Sequence, residues 1–118
     1  MMDDGFQAEA QRWVVACFGP EVAMDQAERM RRFLEEGLEL AQSLGCPRAV
    51  VGQIVDYVYA RPAGEPGQEI GGVMMTLAAL CSAYGFDMAG EGRAELARID
   101  RPEVIAAIRA KHAGKPRF

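Results

Sequence analysis

The segment MRRFLEEGLELAQSL, residues 30–44, decides the fold of this 118-residue chain. With about 100° between successive residues of an α-helix, its apolar side chains fall on one face and its charged side chains on the other. The apolar face consists of Met30, Phe33, Gly37, Leu38, Ala41 and Leu44. The segment therefore predicts an amphipathic helix whose apolar face packs against other helices.

Proline and glycine divide the rest of the chain into helix-length segments, and no segment shows the alternation of a strand. We predict helices at about residues 4–17, 20–44, 47–59, 68–84, 90–99 and 102–113, with a loop at 61–67. Pro20 and Pro47 suit the first turn of a helix, because proline has no N–H to leave unpaired there. The prediction is one all-α domain of residues 1–118, in which residues 102–118 form a C-terminal helix and a basic tail.

The segment 68–84 is apolar almost all round, which predicts the most buried helix of the fold. The apolar run 70–86 is about one turn shorter than the roughly 20 residues that cross a bilayer, so no membrane is expected as a partner. A chain of this length buries a smaller share of its surface than a larger domain does. We therefore expect the helical bundle to be completed by oligomerisation.

Composition excludes several functional classes. Half of the residues are hydrophobic and the net charge is −4, so long-range attraction for nucleic acid is absent and DNA or RNA is not an expected partner. Cys17, Cys46 and Cys81 contain no C-x-x-C pair, and together with His112 they do not make a zinc site or a disulfide framework. With no secretory signal pattern at the start, a reducing cytoplasm is the expected location.

The acids of the helix at residues 30–44 differ in their placement. Glu36 borders the apolar face, and Glu39 lies about 60° from it, so the two carboxylates project side by side. Glu35 points away toward solvent. The simplest interpretation is a solvated flank with an Arg32–Glu36 ion pair worth about a few tenths of a kcal/mol. Partial desolvation of Glu36 at the edge of the core would instead favour a bound cation.

Glu69 is a further acid, at the start of the most apolar segment. Negative charge is favourable at a helix N-terminus, which is one explanation of its position. A metal site shared with Glu36 and Glu39 is the other. Carboxylates without histidine or cysteine suit Mg²⁺ or Mn²⁺, and Mg²⁺ commonly bridges to substrate phosphates. The acids therefore suggest chemistry at phosphorus.

Three motifs in this order resemble the MazG-like all-α nucleoside triphosphate pyrophosphohydrolases. They are Glu36-x-x-Glu39, then Glu69-Ile-Gly-Gly72 at the start of another helix, then Gly85-Phe-Asp87 after the apolar run. The resemblance covers residues 30–89, and residues 17–36 resemble phage-borne members. It implies a MazG-like helical bundle that forms a homodimer or homotetramer, uses Mg²⁺ or Mn²⁺, and cleaves a nucleoside triphosphate to monophosphate and pyrophosphate.

The resemblance implies that Glu36, Glu39 and Glu69 are metal ligands. The family has an aspartate as its fourth ligand where this chain has Gly72, so no side chain contributes there. A water could fill the position, or another acid such as Asp56 or Asp87 could reach it. The alternative is a degenerate member that binds nucleotides or other helices without catalysis.

The predicted catalytic carboxylates are Glu35, Glu36 and Glu39, of which Glu35 or Glu36 would orient a metal-bound water. The residues predicted to bind the nucleotide are Arg29, Arg32, Asp87 and Lys111. For the two arginines the alternative is pairing with neighbouring glutamates, and for Lys111 it is a solvated surface position. Trp13 is expected in the core and His112 in solvent.

Overall fold

The computed structural model describes residues 4–118, and every regular element in that range is an α-helix. The helices are α1 (Phe6–Phe18), α2 (Pro20–Ala23), α3 (Gln26–Ser43), α4 (Arg48–Tyr59), α5 (Pro66–Tyr84), α6 (Met88–Ile99) and α7 (Pro102–Ala113). The prediction of an all-α fold is therefore confirmed.

Glycine and proline set most helix boundaries. Gly19 and Gly85 end α1 and α5 with φ angles of 86° and 78°, a backbone conformation that residues with a Cβ disfavour. Pro20 and Pro66 occupy the first turn of α2 and α5. Helix α5 thus begins inside the predicted loop 61–67, whereas the predicted C-terminal ends of α4 to α7 match the structure.

The predicted helix 20–44 is wrong, because the structure divides it into α2 and α3 at Met24 and Asp25. The Asp25 carboxylate accepts a hydrogen bond of 3.2 Å from the backbone N–H of Glu28. Asp25 therefore caps a new helix. The sequence Asp25-Gln-Ala-Glu28 has the spacing of a capping box, which is the local signal for this boundary.

The chain divides into two compact units. The terminal unit comprises the described residues up to Arg31 together with Phe86–Phe118, and the central unit comprises Arg32–Gly85. Helix α3 begins in the terminal unit and continues in the central unit. The two units differ in how many of their residues are buried.

In the terminal unit, α1 packs against α2 and α7, and α6 packs against α7. The indole N–H of Trp13, which is half-buried, donates to the carbonyl of Ile99 at 3.0 Å. Arg109 of α7 donates to the carbonyl of Cys17 at 2.6 Å. Cys17 and Ala23 are buried, and burial raises the pKa of the Cys17 thiol. These contacts form a small core.

No residue of the central unit, Arg32–Gly85, is buried. The prediction that α5 is the most buried helix is therefore wrong, since Ile70 and Met75 are 64% and 73% exposed. The reason is that neither α3 nor α4 packs closely against α5, so its apolar surface stays uncovered. No single helix of residues 4–118 is long and apolar enough to cross a bilayer.

Candidate metal site

The acids of α3 have different surroundings. Glu36 and Glu39 are exposed, whereas Glu35, expected in solvent, is half-buried. Arg32 donates to Glu35 at 3.0 Å, so its ion pair in α3 is with Glu35 and not with Glu36. Helix spacing allows both pairs. Glu36 is not desolvated, because the apolar face beside it is uncovered, and its carboxylate and that of Glu39 face water.

Glu69 lies in the first turn of α5, just after the residue that caps this helix. The Glu65 carboxylate accepts hydrogen bonds from the backbone N–H groups of Gly67 and Gln68 at 3.0 and 2.7 Å. The Glu69 carboxylate folds back over Gly64, where an added Cβ would overlap it. Within one chain, Glu69 therefore lies against the loop that precedes its own helix.

The predicted metal ligands do not meet within one chain. Among residues 4–118, no group of three or more histidine, cysteine, aspartate or glutamate side chains is placed to hold a metal ion. Helix α3 carries Glu36 and Glu39, α4 carries Asp56, and α5 carries Glu69. None of these helices packs closely against another. The carboxylates of a single chain, as placed, thus do not form a binding site for Mg²⁺.

Gly72, the position where the resembling family has aspartate, lies in α5 with an ordinary negative φ. The hydroxyl of Thr76 donates to the Gly72 carbonyl at 3.0 Å. A Cβ added to Gly72 would lie 4.0 Å from the Glu69 carboxylate, with no other side chain near it. Neither backbone conformation nor packing within the chain requires glycine, so an aspartate can be accommodated here.

Three of the residues predicted to bind substrate, Arg29, Asp87 and Lys111, belong to the terminal unit. Arg29 Nη2 lies 3.8 Å from a Glu28 carboxylate oxygen, and its guanidinium carbon lies 5.7 Å from the centre of the Phe18 ring. Asp87 precedes α6, and Lys111 is exposed on α7. Arg29 is therefore paired with a glutamate, the alternative that the sequence left open.

A buried charged cluster around Glu28 is not predicted from the sequence. The Glu28 side chain is 3% exposed and lies 3.4 Å from Arg31 Nη2. His112 Nδ1 lies 3.6 Å from the other Glu28 oxygen, and the His112 ring centre lies 4.6 Å from that of Phe18. The expectation that His112 is solvated is therefore wrong. His112 connects α7 to the first turns of α3, and it forms an ion pair with Glu28 when protonated.

The cap at Glu65 makes the start of α5 sensitive to pH. Two backbone N–H groups lower the pKa of the Glu65 carboxyl from its ordinary value of 4.5. Because the pKa is depressed in the folded state, the cap contributes stability above pH 4.5 and loses it as the pH falls through the folded value. We expect Glu65→Gln to lower the thermal midpoint at neutral pH, with the difference from wild type shrinking in acid.

Circular dichroism melting of both proteins at several pH values measures this effect. Glu91→Gln is a matched control, since Glu91 lies in the first turn of α6, which has no side-chain cap. A difference between Glu65→Gln and wild type that is constant across the pH range would contradict the role of the carboxylate.

Comparison with protein-family models, curated proteins and solved structures gave no match. Membership of the MazG-like family thus stays a proposal, and it rests on the sequence motifs of this chain.

Proposed function

We propose that the protein is a Mg²⁺-dependent nucleotide pyrophosphohydrolase of the MazG-like type, acting on a nucleoside triphosphate. The observation that carries the proposal is the pair Glu36 and Glu39, both exposed on α3 and without an ion pair among residues 4–118. Adjacent carboxylates on one side of a helix repel each other. A divalent cation relieves this repulsion and attracts phosphates, which is the chemistry that a triphosphate substrate requires.

The proposed reaction breaks the bond between the α-phosphorus and the oxygen that bridges to the β-phosphorus. A water oxygen bonds to the α-phosphorus, the bridging oxygen leaves with pyrophosphate, and a carboxylate accepts the water proton. Glu35 suits this acceptor role, because Arg32 holds its carboxylate at 3.0 Å. When bound, Mg²⁺ would supply neutralisation of phosphate charge.

The proposal includes association into a homodimer or homotetramer. Phe33 and Leu38 on α3 and Ile54 on α4 are 56%, 51% and 54% exposed. Burying such a side chain from full exposure contributes about 1.5 to 3 kcal/mol, and covering the exposed half contributes roughly half as much. A chain that exposes many of them therefore gains much by association. Cys17, Cys46 and Cys81 are free, which suits a reducing cytoplasm as the location.

A second candidate function is that of a helical interaction or nucleotide-binding protein without catalysis. Two observations favour it. Gly72 offers no ligand, and residues 4–118 contain no group of three acids that could hold a metal within one chain. A degenerate member of the family would show these features.

Pyrophosphate release from each common ribo- and deoxynucleoside triphosphate, with Mg²⁺ or Mn²⁺, tests the proposal. We expect release with at least one substrate. Gly72→Asp, which the space around Gly72 admits, is expected to lower the metal concentration needed for half-maximal rate, because it adds a carboxylate beside Glu69. Pyrophosphate release by Gly72→Asp but not by wild type would show that the metal-ligand set of the wild-type protein is incomplete. If neither wild type nor Gly72→Asp releases pyrophosphate, the enzymatic function is excluded and the second candidate is favoured.

A further inference from the structure

The terminal unit contains a cavity between α1 and α6 that the proposed function does not use. Its volume is about 570 Å³, which lies within the roughly 300–1,000 Å³ of natural small-molecule sites. One wall comes from α1, and the other comes from α6 together with Asp100, the residue that ends α6. All the lining residues belong to the same compact unit. The cavity is therefore complete within one unit of one chain.

The apolar part of the lining is centred on Trp13 of α1 and Leu96 of α6, which are both half-buried. The indole N–H of Trp13 donates to the carbonyl of Ile99 at 3.0 Å. Phe18 contacts the indole edge-on, with ring centres 6.1 Å apart. These two contacts hold the ring, so the cavity offers a preformed apolar surface to a ligand.

The charged residues of the lining divide into a paired set and an unpaired set. Arg93 of α6 forms ion pairs with Glu9 and with Asp4, so its charge is already balanced. The side chains of Arg12 and Asp100 are exposed and form no ion pair or hydrogen bond with any of residues 4–118. The cavity thus presents one available guanidinium and one available carboxylate beside an apolar surface.

From this arrangement we infer that the cavity binds a free α-amino acid with a branched apolar side chain, such as leucine. The ligand carboxylate matches Arg12, whose guanidinium offers two parallel donors, and the ligand ammonium matches the Asp100 carboxylate. The ligand side chain covers Trp13 and Leu96. Because the available charges are one of each sign, a zwitterion suits the cavity better than a simple anion or cation does. The inference is independent of the proposed function, which uses none of these residues.

The fluorescence of Trp13 tests the inference directly, because Trp13 is the single tryptophan of the chain and lines the cavity. The protein is titrated with leucine, with leucinamide, which lacks the carboxylate, and with N-acetylleucine, which lacks the ammonium. We expect a saturable change with leucine at a Kd on the order of 1 mM. Each analogue should bind at least about ten-fold more weakly, since it leaves one charge of the cavity without its partner.

Two variants assign the contacts. Arg12→Gln should weaken leucine binding by about ten-fold and leave leucinamide binding unchanged, because leucinamide has no carboxylate for Arg12. Asp100→Asn should likewise weaken leucine binding and leave N-acetylleucine binding unchanged. Arg48→Gln is the matched control, since Arg48 is exposed on α4 and outside the cavity, and it should bind leucine as wild type does. Circular dichroism melting should show the wild-type midpoint for all three variants.

Several results would overturn the inference. One is the absence of both a saturable fluorescence change and a calorimetric heat of binding with leucine up to about 10 mM. Another is equal affinity for the three ligands, which would show apolar adsorption on Trp13 alone. Binding of a nucleotide that depends on Arg12, without binding of leucine, would assign the cavity to an anion instead. None of these results bears on pyrophosphate release, so failure here is distinguishable from failure of the proposed function.

Discussion

Replacing Glu39 with glutamine is expected to reduce pyrophosphate release by at least about 100-fold, as removal of a metal ligand does. The substitution keeps the size of the side chain and removes its charge. Glu39 is exposed and forms no ion pair among residues 4–118. Its loss is therefore expected to leave the fold intact and to act only on the proposed metal and substrate.

Two measurements give this prediction its control. The thermal midpoint of Glu39→Gln should equal that of wild type, because an exposed substitution changes stability by at most about 0.5 kcal/mol. Glu91→Gln, at an exposed acid of α6, should retain full activity. Undiminished pyrophosphate release by Glu39→Gln would show that Glu39 is not part of the catalytic site and that Glu36 has no neighbouring metal ligand at that position.

Replacing Glu28 with alanine is expected to destabilise the terminal unit by about 3 kcal/mol. The Glu28 carboxylate is 3% exposed and lies near Arg29, Arg31 and His112. Removing it leaves partly buried positive groups without their counter-charge, and this costs more than the original pair gained. The side chains of Arg29 and Arg31 are 29% and 21% exposed, so water still solvates part of each charge. The expected loss of stability therefore lies at the lower end of the range for buried pairs.

Urea unfolding followed by the fluorescence of Trp13, the single tryptophan of the chain, measures this loss at a fixed protein concentration. Trp13 lies in the terminal unit and so reports on the unit that carries the substitution. Glu103→Ala, which removes an exposed ion pair with Arg101, should change stability by less than about 0.5 kcal/mol. Equal midpoints for Glu28→Ala and wild type would show that the cluster contributes nothing.

The helices could be predicted because their ends depend on local chemistry. Gly85 ends α5 with a positive φ, and Pro102 begins α7; each effect depends on a residue and its immediate neighbours. The break at Asp25 is just as local. The amphipathic pattern continues through Asp25 and favours one long helix, whereas the Asp25 side chain favours a new helix start. Here the cap determines the boundary.

The candidate site could be predicted only in part, because it depends on contacts between distant residues. Helical spacing places Glu36 and Glu39 side by side on α3, but it does not decide whether Arg32 pairs with Glu35 or Glu36. The exposure of α5 also could not be predicted from its sequence pattern, since the sequence of an apolar helix does not indicate what, if anything, covers that helix. The contact of His112 with Glu28 joins α7 to α3, which no local rule specifies.

The absence of buried residues in the central unit, Arg32–Gly85, has a consequence for the living cell. On the proposed association, this unit gains hydrophobic stabilisation from a partner and obeys mass action, so its order should rise with the number of chains present. On the same proposal, its helices should open often and be accessible to proteases at low abundance, and should be protected at high abundance. We therefore expect the rate at which the chain is synthesised to govern how much ordered protein accumulates, more steeply than in proportion.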